Sequence, residues 1–404
     1  MPSGLGWVDF AEDDRQKMLE VVRLFHESET RDELGLGVIR DAFSDYLFPG
    51  TSTVQTRARY FLVVPWIYMS LESKEVPSSK VYHRASSIER KLIYTLLEAG
   101  ETDGVIGRVS KDKLQRLPSN IYWSGMGTLG IRLFPRGQQQ YHDYLDLFYY
   151  LKKARRKENE EDEGEVFSSN NWHPGLPAPP PGFPEEAALD LTREEALYLQ
   201  ERILVTHPQS LMADLVKERE FIDADYIWEH SIIQRTSADN INHVTQAMNF
   251  SDMLHGAALL YNLMLSRKLE NEEYISDYQR MMDDWAERIE ARWSELQDWH
   301  REMDSFWELP AITASNIKRP IRSFIESWLA VLFQEGPGAI PASVTARNLI
   351  LDREVKLKRN RSRLENQRAL ELWNGASGTI KLEYRWSNAK IIVRDIIKGL
   401  NSEE

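Results

Sequence analysis

Two arginines and three small hydroxylated residues stand close together in the sequence GTSTVQTRARYF. Thr51, Ser52 and Thr53 are residue types that cap the start of a helix, where the first backbone N–H groups have no partner within the helix. Arg57 and Arg59 would follow within the first two turns, so that N–H and guanidinium groups bind one phosphate together. The segment therefore predicts a phosphate contact. The alternative is a simple helix cap with one arginine buried in a structural ion pair.

A second group of basic residues has the spacing of one helix face. It comprises Lys80, His83, Arg84, Arg90 and Lys91, interleaved with Tyr82 and Tyr94. If 79–99 forms one helix, Lys80, Arg84 and Lys91 follow one another at i, i+4 and i+11 on one side. Such a stripe of cations can follow the phosphate backbone of a nucleic acid. A solvated helix face explains the same pattern, since Glu89 and Glu98 interrupt the charge.

A third basic run lies at 353–368, where seven Lys and Arg stand against two Glu. Its predicted contact residues are Lys356, Arg359, Arg361 and Arg363. The run favours a nucleic-acid contact or a docking site for an acidic partner. It would equally serve to neutralise the acidic tract at 158–165 or simply remain solvated. We expect the arginines of the first segment to contribute more to binding, since 359–363 is predicted to be exposed and flexible.

The charge of the chain is divided unevenly. The whole sequence has 50 Lys and Arg against 63 Asp and Glu, a net charge of -13. Residues 51–157 instead hold 18 basic against 9 acidic side chains, a net charge of +9. This asymmetry indicates a module that faces a polyanion, attached to an acidic module.

The sequence carries no recognisable catalytic signature. Cysteine is absent, which excludes disulfides, thiolate metal sites and cysteine nucleophiles. Neither HExxH nor GxxxxGK[ST] occurs, and GMGTLG at 125–130 lacks the strand and the lysine that a phosphate-binding loop requires. The histidines at 230, 243 and 255 have no carboxylate at metal-ligand spacing. We therefore expect no cofactor and no metal site, and a non-enzymatic role is favoured over catalysis.

Length and proline content predict two domains. A chain of 404 residues exceeds what one hydrophobic core usually supports. The repeated prolines of NNWHPGLPAPPPGFPEE disfavour a helix interior and favour an extended connection. We predict a basic N-terminal helical domain at 1–167, an acidic, Pro-rich linker at 168–187 and an acidic C-terminal helical domain at 188–404.

The predicted fold class is mainly α. Apolar residues recur at helical spacing, and Thr192 with Glu195 forms a capping box. The N-terminal domain is expected to be helical and to allow a winged-helix element, with short strands near 104–109 and 131–134. The C-terminal domain is expected to be a helical bundle with a short β element at 379–384. Helices are predicted at 54–71, 86–99, 119–129, 138–157, 240–269 and 387–400.

The N-terminus has an acidic start and no apolar run of the kind found in secretory signals. The most apolar run, 60–71, contains Pro65 and falls well short of the ~20 residues that span a bilayer. We expect a cytoplasmic protein without a membrane span.

Four blocks of sequence resemble an uncharacterised bacterial family known only as a domain of unknown function. The blocks are WVDFAEDDR, LGLGVIRDAFSDYLFPGTSTVQTRARYFLVVPWIY, LPSNIYWSGMGTLGI and GTIKLEYRW, and the likeness covers nearly the whole length. The resemblance supplies no catalytic residues. It implies that members of the family are found in antiviral defence gene clusters, beside helicases and phospholipase D-like nucleases. Such gene neighbours do not define a mechanism.

Charge and resemblance together favour a non-enzymatic subunit of a bacterial antiphage defence system. Its basic N-terminal domain would hold nucleic acid, with DNA favoured, and its C-terminal domain would dock a helicase or a phospholipase D-like nuclease. One alternative is a metal-dependent nuclease whose carboxylates come together only in the fold. Another is a DNA-binding transcriptional regulator.

Overall fold

A computed structural model of the protein describes residues 32–159, 170–219, 221 and 223–402, and within these ranges the chain is mainly α-helical. Short 3-10 turns lie at Lys111–Lys113, Ile227–Glu229, Ser231–Gln234, Pro337–Ala342 and Arg359–Arg361. In chain order the helices are α1 (Gly37–Leu47), α2 (Tyr60–Ser73), α3 (Ser78–Glu98), α4 (Pro118–Thr128), α5 (Gln138–Asn159), α6 (Arg193–Thr206), α7 (Leu211–Glu218), α8 (Ala238–Lys268), α9 (Glu272–Ala291), α10 (Trp293–Arg301), α11 (Met303–Glu308), α12 (Pro310–Thr313), α13 (Arg319–Glu335), α14 (Val344–Lys358), α15 (Gln367–Glu371) and α16 (Trp386–Leu400).

Two compact units make up the described chain, and each joins stretches that are distant in sequence. The first unit combines 32–43 with Asn242–Tyr384, and the second combines Ser44–Ile241 with 385–402. The division therefore differs from the one predicted at 168–187, because the described part of that segment, 170–187, belongs to the second unit.

Local sequence signals place several helix ends as predicted. Thr192 accepts a hydrogen bond from the backbone N–H of Glu195, and the Glu195 side chain accepts one from the Thr192 N–H in return. This confirms the capping box at the start of α6. After α4, Gly130 takes a φ of +64°, and the N–H of Ile131 donates to the carbonyl of Met126. Glycine suits this left-handed position, so α4 ends there in a Schellman-type turn.

Aromatic side chains from α2 form much of the core of the second unit. Tyr60 and Phe61 contact the ring of Tyr122 on α4 at centroid distances of 5.4 and 4.9 Å. Tyr68, about two turns further along α2, contacts the ring of Tyr141 on α5 at a centroid distance of 5.4 Å. Because α2 packs against α3 and α4 and is buried on most sides, its sequence is apolar nearly all round, with Pro65 inside the helix.

The Pro-rich segment packs against this core and is not the exposed tether that its composition predicted. The indole N–H of Trp66 donates to the carbonyl of Pro177 at 2.7 Å, and the Trp66 ring meets Phe183 edge to face. Trp172 is buried, and its indole N–H donates to Glu72. Proline prevents helix formation here, but it does not prevent an extended chain from covering an apolar surface.

The first unit is organised around α8. A Cβ on Gly256 would lie 2.2 Å from the ring of Trp285, so only glycine permits this close approach of α9. The indole N–H groups of Trp285 and Trp328 donate to the carbonyls of Asp252 and Met253. These tryptophans are 1% and 0% exposed, which makes them central to the core of this unit.

No strand occurs in the described ranges, so neither the winged-helix element nor the short β element is found. At 131–134 the pairing stops at one isolated antiparallel bridge, between Arg132 and Trp172. The carbonyls of Leu382 and Thr379 accept hydrogen bonds from the side chains of Ser251 and His255 on α8, and not from a neighbouring strand. Positive φ angles at Gly104 and Gly107 turn the chain at 104–109.

No helix within the ranges that the structure describes is both long and apolar enough to cross a membrane.

Candidate nucleic-acid interface

The segment predicted to open a helix at Thr51 forms turns and irregular backbone, and α2 begins only at Tyr60. The Thr51 hydroxyl donates to the carbonyl of Phe48, and the Ser52 N–H donates to the side chain of Gln55. Thr53 is exposed. The Thr51 hydroxyl and the Ser52 N–H therefore stabilise a turn, and none of the three residues caps α2, which corrects the predicted helix start.

Arg57 is buried among carboxylates of the second unit. Its Nε lies 2.8 Å from Oδ2 of Asp395 on α16, and its Nη2 lies 2.8 Å from Oδ1 of Asp190. The backbone N–H of Ala58 donates to the same Asp395 oxygen at 2.9 Å. With 8% of its surface exposed, the guanidinium is enclosed in a structural ion pair.

Arg59 is enclosed in the same manner. Its Nη2 lies 2.7 Å from Oε1 of Glu195, its Nη1 donates to the carbonyl of Ala188, and its guanidinium lies over the ring of Trp66. Only 5% of the residue is exposed. The alternative that the sequence left open, an arginine held in a structural ion pair, thus applies to both arginines.

The charges in this cluster stabilise one another. Burial lowers the pKa of the Arg57 guanidinium, but hydrogen bonds and the charges of Asp395 and Asp190 outweigh it and leave the net pKa raised. Burial raises the pKa of the Asp395 carboxyl, while Arg57 and the Ala58 N–H favour its ionised form. A phosphate reaching Arg57 would have to displace both carboxylates, so this surface does not suit nucleic acid.

The second predicted group forms an exposed face on α3. Lys80, Arg84 and Lys91 all lie on the solvent side of the helix, whereas Tyr82 projects from a different side and its ring contacts His83 and His142. Lys91 pairs with Glu185 at 3.0 Å, and both side chains of this pair are mostly exposed. Exposed pairs contribute ~0–1 kcal/mol, so a phosphate can replace such a carboxylate at little cost.

Arg90, also predicted to bind phosphate, positions a turn instead. Its guanidinium donates to the carbonyls of Asp112 and Leu114, and Tyr94, one turn after Lys91, donates its hydroxyl to the Asp112 carboxylate. These bonds hold the 3-10 turn Lys111–Lys113 against α3. We call the exposed cations of helix and turn the α3 basic face: Lys80, Arg84, Lys91, Lys111 and Lys113.

The opposite side of α3 carries a buried carboxyl. Glu89 is 1% exposed, and its Oε2 accepts the backbone N–H of Ser119 at 2.9 Å. Its Oε1 is buried without a hydrogen-bond partner in the described structure. Burial raises the pKa of Glu89 to about 7, and the Ser119 hydrogen bonds and Arg90 oppose this rise.

The third basic run, in the first unit, divides between inward and outward side chains. Arg363 forms an ion pair with Glu33 at 2.9 Å and donates to the Ser377 hydroxyl. Lys356, Arg359 and Arg361 are exposed. Of the residues predicted here, Arg363 therefore has a structural role, and the other three remain accessible.

A small cavity also lies in the first unit. It has a volume of about 60 Å³ and a mostly apolar lining that includes Leu34, Leu254, Ala258 and Ile380, with His255 at its edge. The His255 Nε2 forms a hydrogen bond of 2.8 Å with the carbonyl of Thr379.

Two parts of this arrangement have little or no signal in the local sequence. Lys111 and Lys113 join the α3 basic face because Arg90 anchors their turn, and their alternation with Asp112 gave only a weak signal. The carboxylates closest to Arg57, Asp190 and Asp395, and the partner of Arg59, Glu195, lie more than a hundred positions away, and no local pattern points to them.

Among the described residues, no three His, Asp or Glu side chains are grouped as a metal ion would require.

Comparisons with known proteins place the chain in one family. Curated proteins give no match, and neither do solved structures. The model of a protein family described as a family of unknown function, DUF6361, matches residues 2–398. Because that match covers nearly the whole sequence, the chain belongs to the DUF6361 family.

Proposed function

We propose that this protein is a non-enzymatic subunit that binds nucleic acid through the α3 basic face. The observation that carries the proposal is the row formed by Lys80, Arg84 and Lys91 on the exposed side of one helix. Successive cations at this spacing lie ~5–10 Å apart along the helix, which is comparable to the distance between phosphates of a backbone.

The turn Lys111–Lys113 extends the same face. Arg90 and Tyr94 fix this turn beside the end of the row, so its two lysines are held near the helix without being buried. A surface that is already ordered loses less side-chain and loop entropy when it binds.

Charge supports the same role. The net charge of +9 over 51–157 contrasts with -13 for the chain, so a polyanion is attracted to this region and repelled elsewhere. We propose DNA as the ligand. We further propose that the protein acts in an antiphage defence complex and docks a helicase or a phospholipase D-like nuclease, which rests on the family resemblance alone.

Binding of the full chain to a fluorescent duplex, followed by anisotropy at low salt, tests the interface. The variant Lys80→Ala/Arg84→Ala/Lys91→Ala should bind at least about tenfold more weakly, because three phosphate contacts are lost. A matched control, Lys356→Ala/Arg361→Ala/Arg368→Ala, removes three exposed cations from the first unit and should bind within about twofold of wild type.

Circular dichroism should show both variants folded, since all six side chains are exposed. If the control variant loses binding and the α3 variant keeps it, the contact surface belongs to the third basic run. If neither variant differs from wild type, or wild type does not bind DNA, the proposal fails.

A further inference from the structure

Arg202 of α6 is a buried cation that lacks a counter-charge. The residue is 6% exposed, and its Nη1 contacts Nε2 of His173. No carboxylate within the described chain forms an ion pair with it, and its Nε is buried without a hydrogen-bond partner. Buried charges in proteins are normally paired, because removing an ion from water costs several kcal/mol.

Other buried arginines in the described chain have a partner for their charge or a full set of acceptors. Arg57 and Arg59 pair with carboxylates at 2.7–2.8 Å, although the Arg59 Nε, like that of Arg202, is buried without a hydrogen-bond partner. Arg353 lacks such a partner but donates from all three nitrogens to the carbonyls of Leu34, Gly35 and Pro320. Arg202 has neither kind of partner set, which distinguishes it from these arginines.

A second donor without an acceptor lies one turn earlier on the same helix face. Tyr198 is 5% exposed, and its hydroxyl is buried with no hydrogen-bond partner in the described structure. Its ring centroid lies 5.7 Å from that of His173. Burial raises the pKa of Tyr198, while the charge of Arg202 opposes the rise, so the phenol keeps its proton at neutral pH and remains a donor.

His173 does not satisfy these donors. Its Nδ1 accepts the backbone N–H of Gly175 at 3.2 Å, while its Nε2 faces the Arg202 guanidinium. Burial and the Arg202 charge lower the pKa of His173, so the ring is neutral. A neutral ring has one acceptor nitrogen, but two donors face it, the Gly175 N–H and the Arg202 guanidinium. One of these N–H groups must therefore go without a good acceptor.

We propose that Arg202 and Tyr198 bind the oxygens of a phosphate group. The Arg202 Nε, one Arg202 Nη and the Tyr198 hydroxyl offer three donors, which a phosphate with three or more acceptor oxygens satisfies better than a carboxylate does. The negative charge supplies the counter-charge that the guanidinium lacks. Exposed Glu201 lies close enough for its charge to act on His173 and Tyr198, and it weakens this attraction without forming an ion pair with Arg202.

The phosphate has two possible sources, a free phosphate or nucleotide and a nucleic-acid backbone. The site uses none of the cations of the α3 basic face, so it does not depend on the function proposed above. The experiment therefore uses three probes on the full chain: inorganic phosphate, adenosine monophosphate and a short single-stranded oligonucleotide.

The melting temperature is measured against each probe at constant ionic strength, with chloride as the reference. Wild type should show a saturating rise of about 2–5 °C with at least one probe. Arg202→Gln should abolish the rise. Tyr198→Phe should reduce it, and because the hydroxyl has no partner, this variant should melt in chloride no earlier than wild type.

Arg193→Gln is the matched control, since it removes an exposed arginine from the start of the same helix and should keep the full rise. The variant Lys80→Ala/Arg84→Ala/Lys91→Ala should also keep the rise with inorganic phosphate. If Arg202→Gln does not fold, Tyr198→Phe still decides the outcome. The proposal is overturned if no probe raises the melting temperature of wild type. It is also overturned if a probe raises the melting temperatures of Tyr198→Phe and Arg193→Gln equally.

Discussion

The Nε of Arg57 lies 2.8 Å from Oδ2 of Asp395, although 338 positions separate the two residues in the sequence. The pair joins the segment before α2 to α16 inside the second unit, and Asp190 completes it by pairing with both Arg57 and Lys398. An arginine expected at a ligand surface is thus part of the framework of its unit.

Arg57→Ala should lower the free energy of unfolding by roughly 3–5 kcal/mol, because it leaves the Asp395 carboxylate buried without its partner. Urea unfolding measures this loss. The double variant Arg57→Ala/Asp395→Ala should cost less than the sum of the single variants. Arg84→Ala, an exposed control, should change stability by no more than about 0.5 kcal/mol. A stable Arg57→Ala protein with weakened DNA binding would restore the phosphate role.

The two lysines of the 3-10 turn should contribute to DNA binding if the turn is part of the α3 basic face. With about five phosphates neutralised, the slope of log K against log salt should be roughly -4 to -5 for wild type. Lys111→Ala/Lys113→Ala should reduce the magnitude of that slope by about 2. Binding measured across a salt series gives both values. An unchanged slope would exclude the turn from the interface.

Glu89 should make the second unit less stable as the pH rises. Its pKa is raised to about 7 in the folded protein from 4.5, so the folded state holds a proton that the unfolded state has released. Stability is therefore greatest below pH 4.5 with respect to this group and falls until about pH 7, by about 3 kcal/mol in total.

Glu89→Gln should remove this dependence. The difference in unfolding free energy between variant and wild type should favour the variant by about 2–3 kcal/mol more at pH 8 than at pH 5. Urea unfolding at the two pH values provides the measurement. A difference that does not vary with pH would mean that Glu89 is already ionised at pH 5.

His255 should act in the opposite direction in the first unit. Burial lowers the pKa of His255 to about 4, so the unfolded state binds a proton more readily than the folded state does. Its contribution is complete above pH 6.5 and is lost as the pH falls towards 4. Because the ring is partly exposed, we expect a loss of about 1–3 kcal/mol.

His255→Gln retains a donor for the carbonyl of Thr379 and cannot be protonated. Acid unfolding followed by circular dichroism should begin at a lower pH in this variant than in wild type. The buried His142, whose pKa burial also lowers to about 4, remains in both proteins and so does not affect the comparison. Identical acid transitions would contradict the assignment.

The sequence by itself determined several of the helices. Helical periodicity, the Thr192 and Glu195 capping box and the glycine after α4 depend on residues within five positions of one another. The exposed row of Lys80, Arg84 and Lys91 was predictable for the same reason, because one helix fixes which side chains share a face.

Elsewhere, tertiary structure alone decided which charged side chains are buried in ion pairs and which are exposed. Arg59 is buried because Glu195, 136 positions later, is placed beside it, and a run of basic residues does not reveal which member will find such a partner. The Pro-rich segment packs as it does because Trp66 and Trp172 form hydrogen bonds across the second unit. Burial and ion pairing depend on contacts between residues that are distant in the sequence, and the local sequence pattern does not predict those contacts.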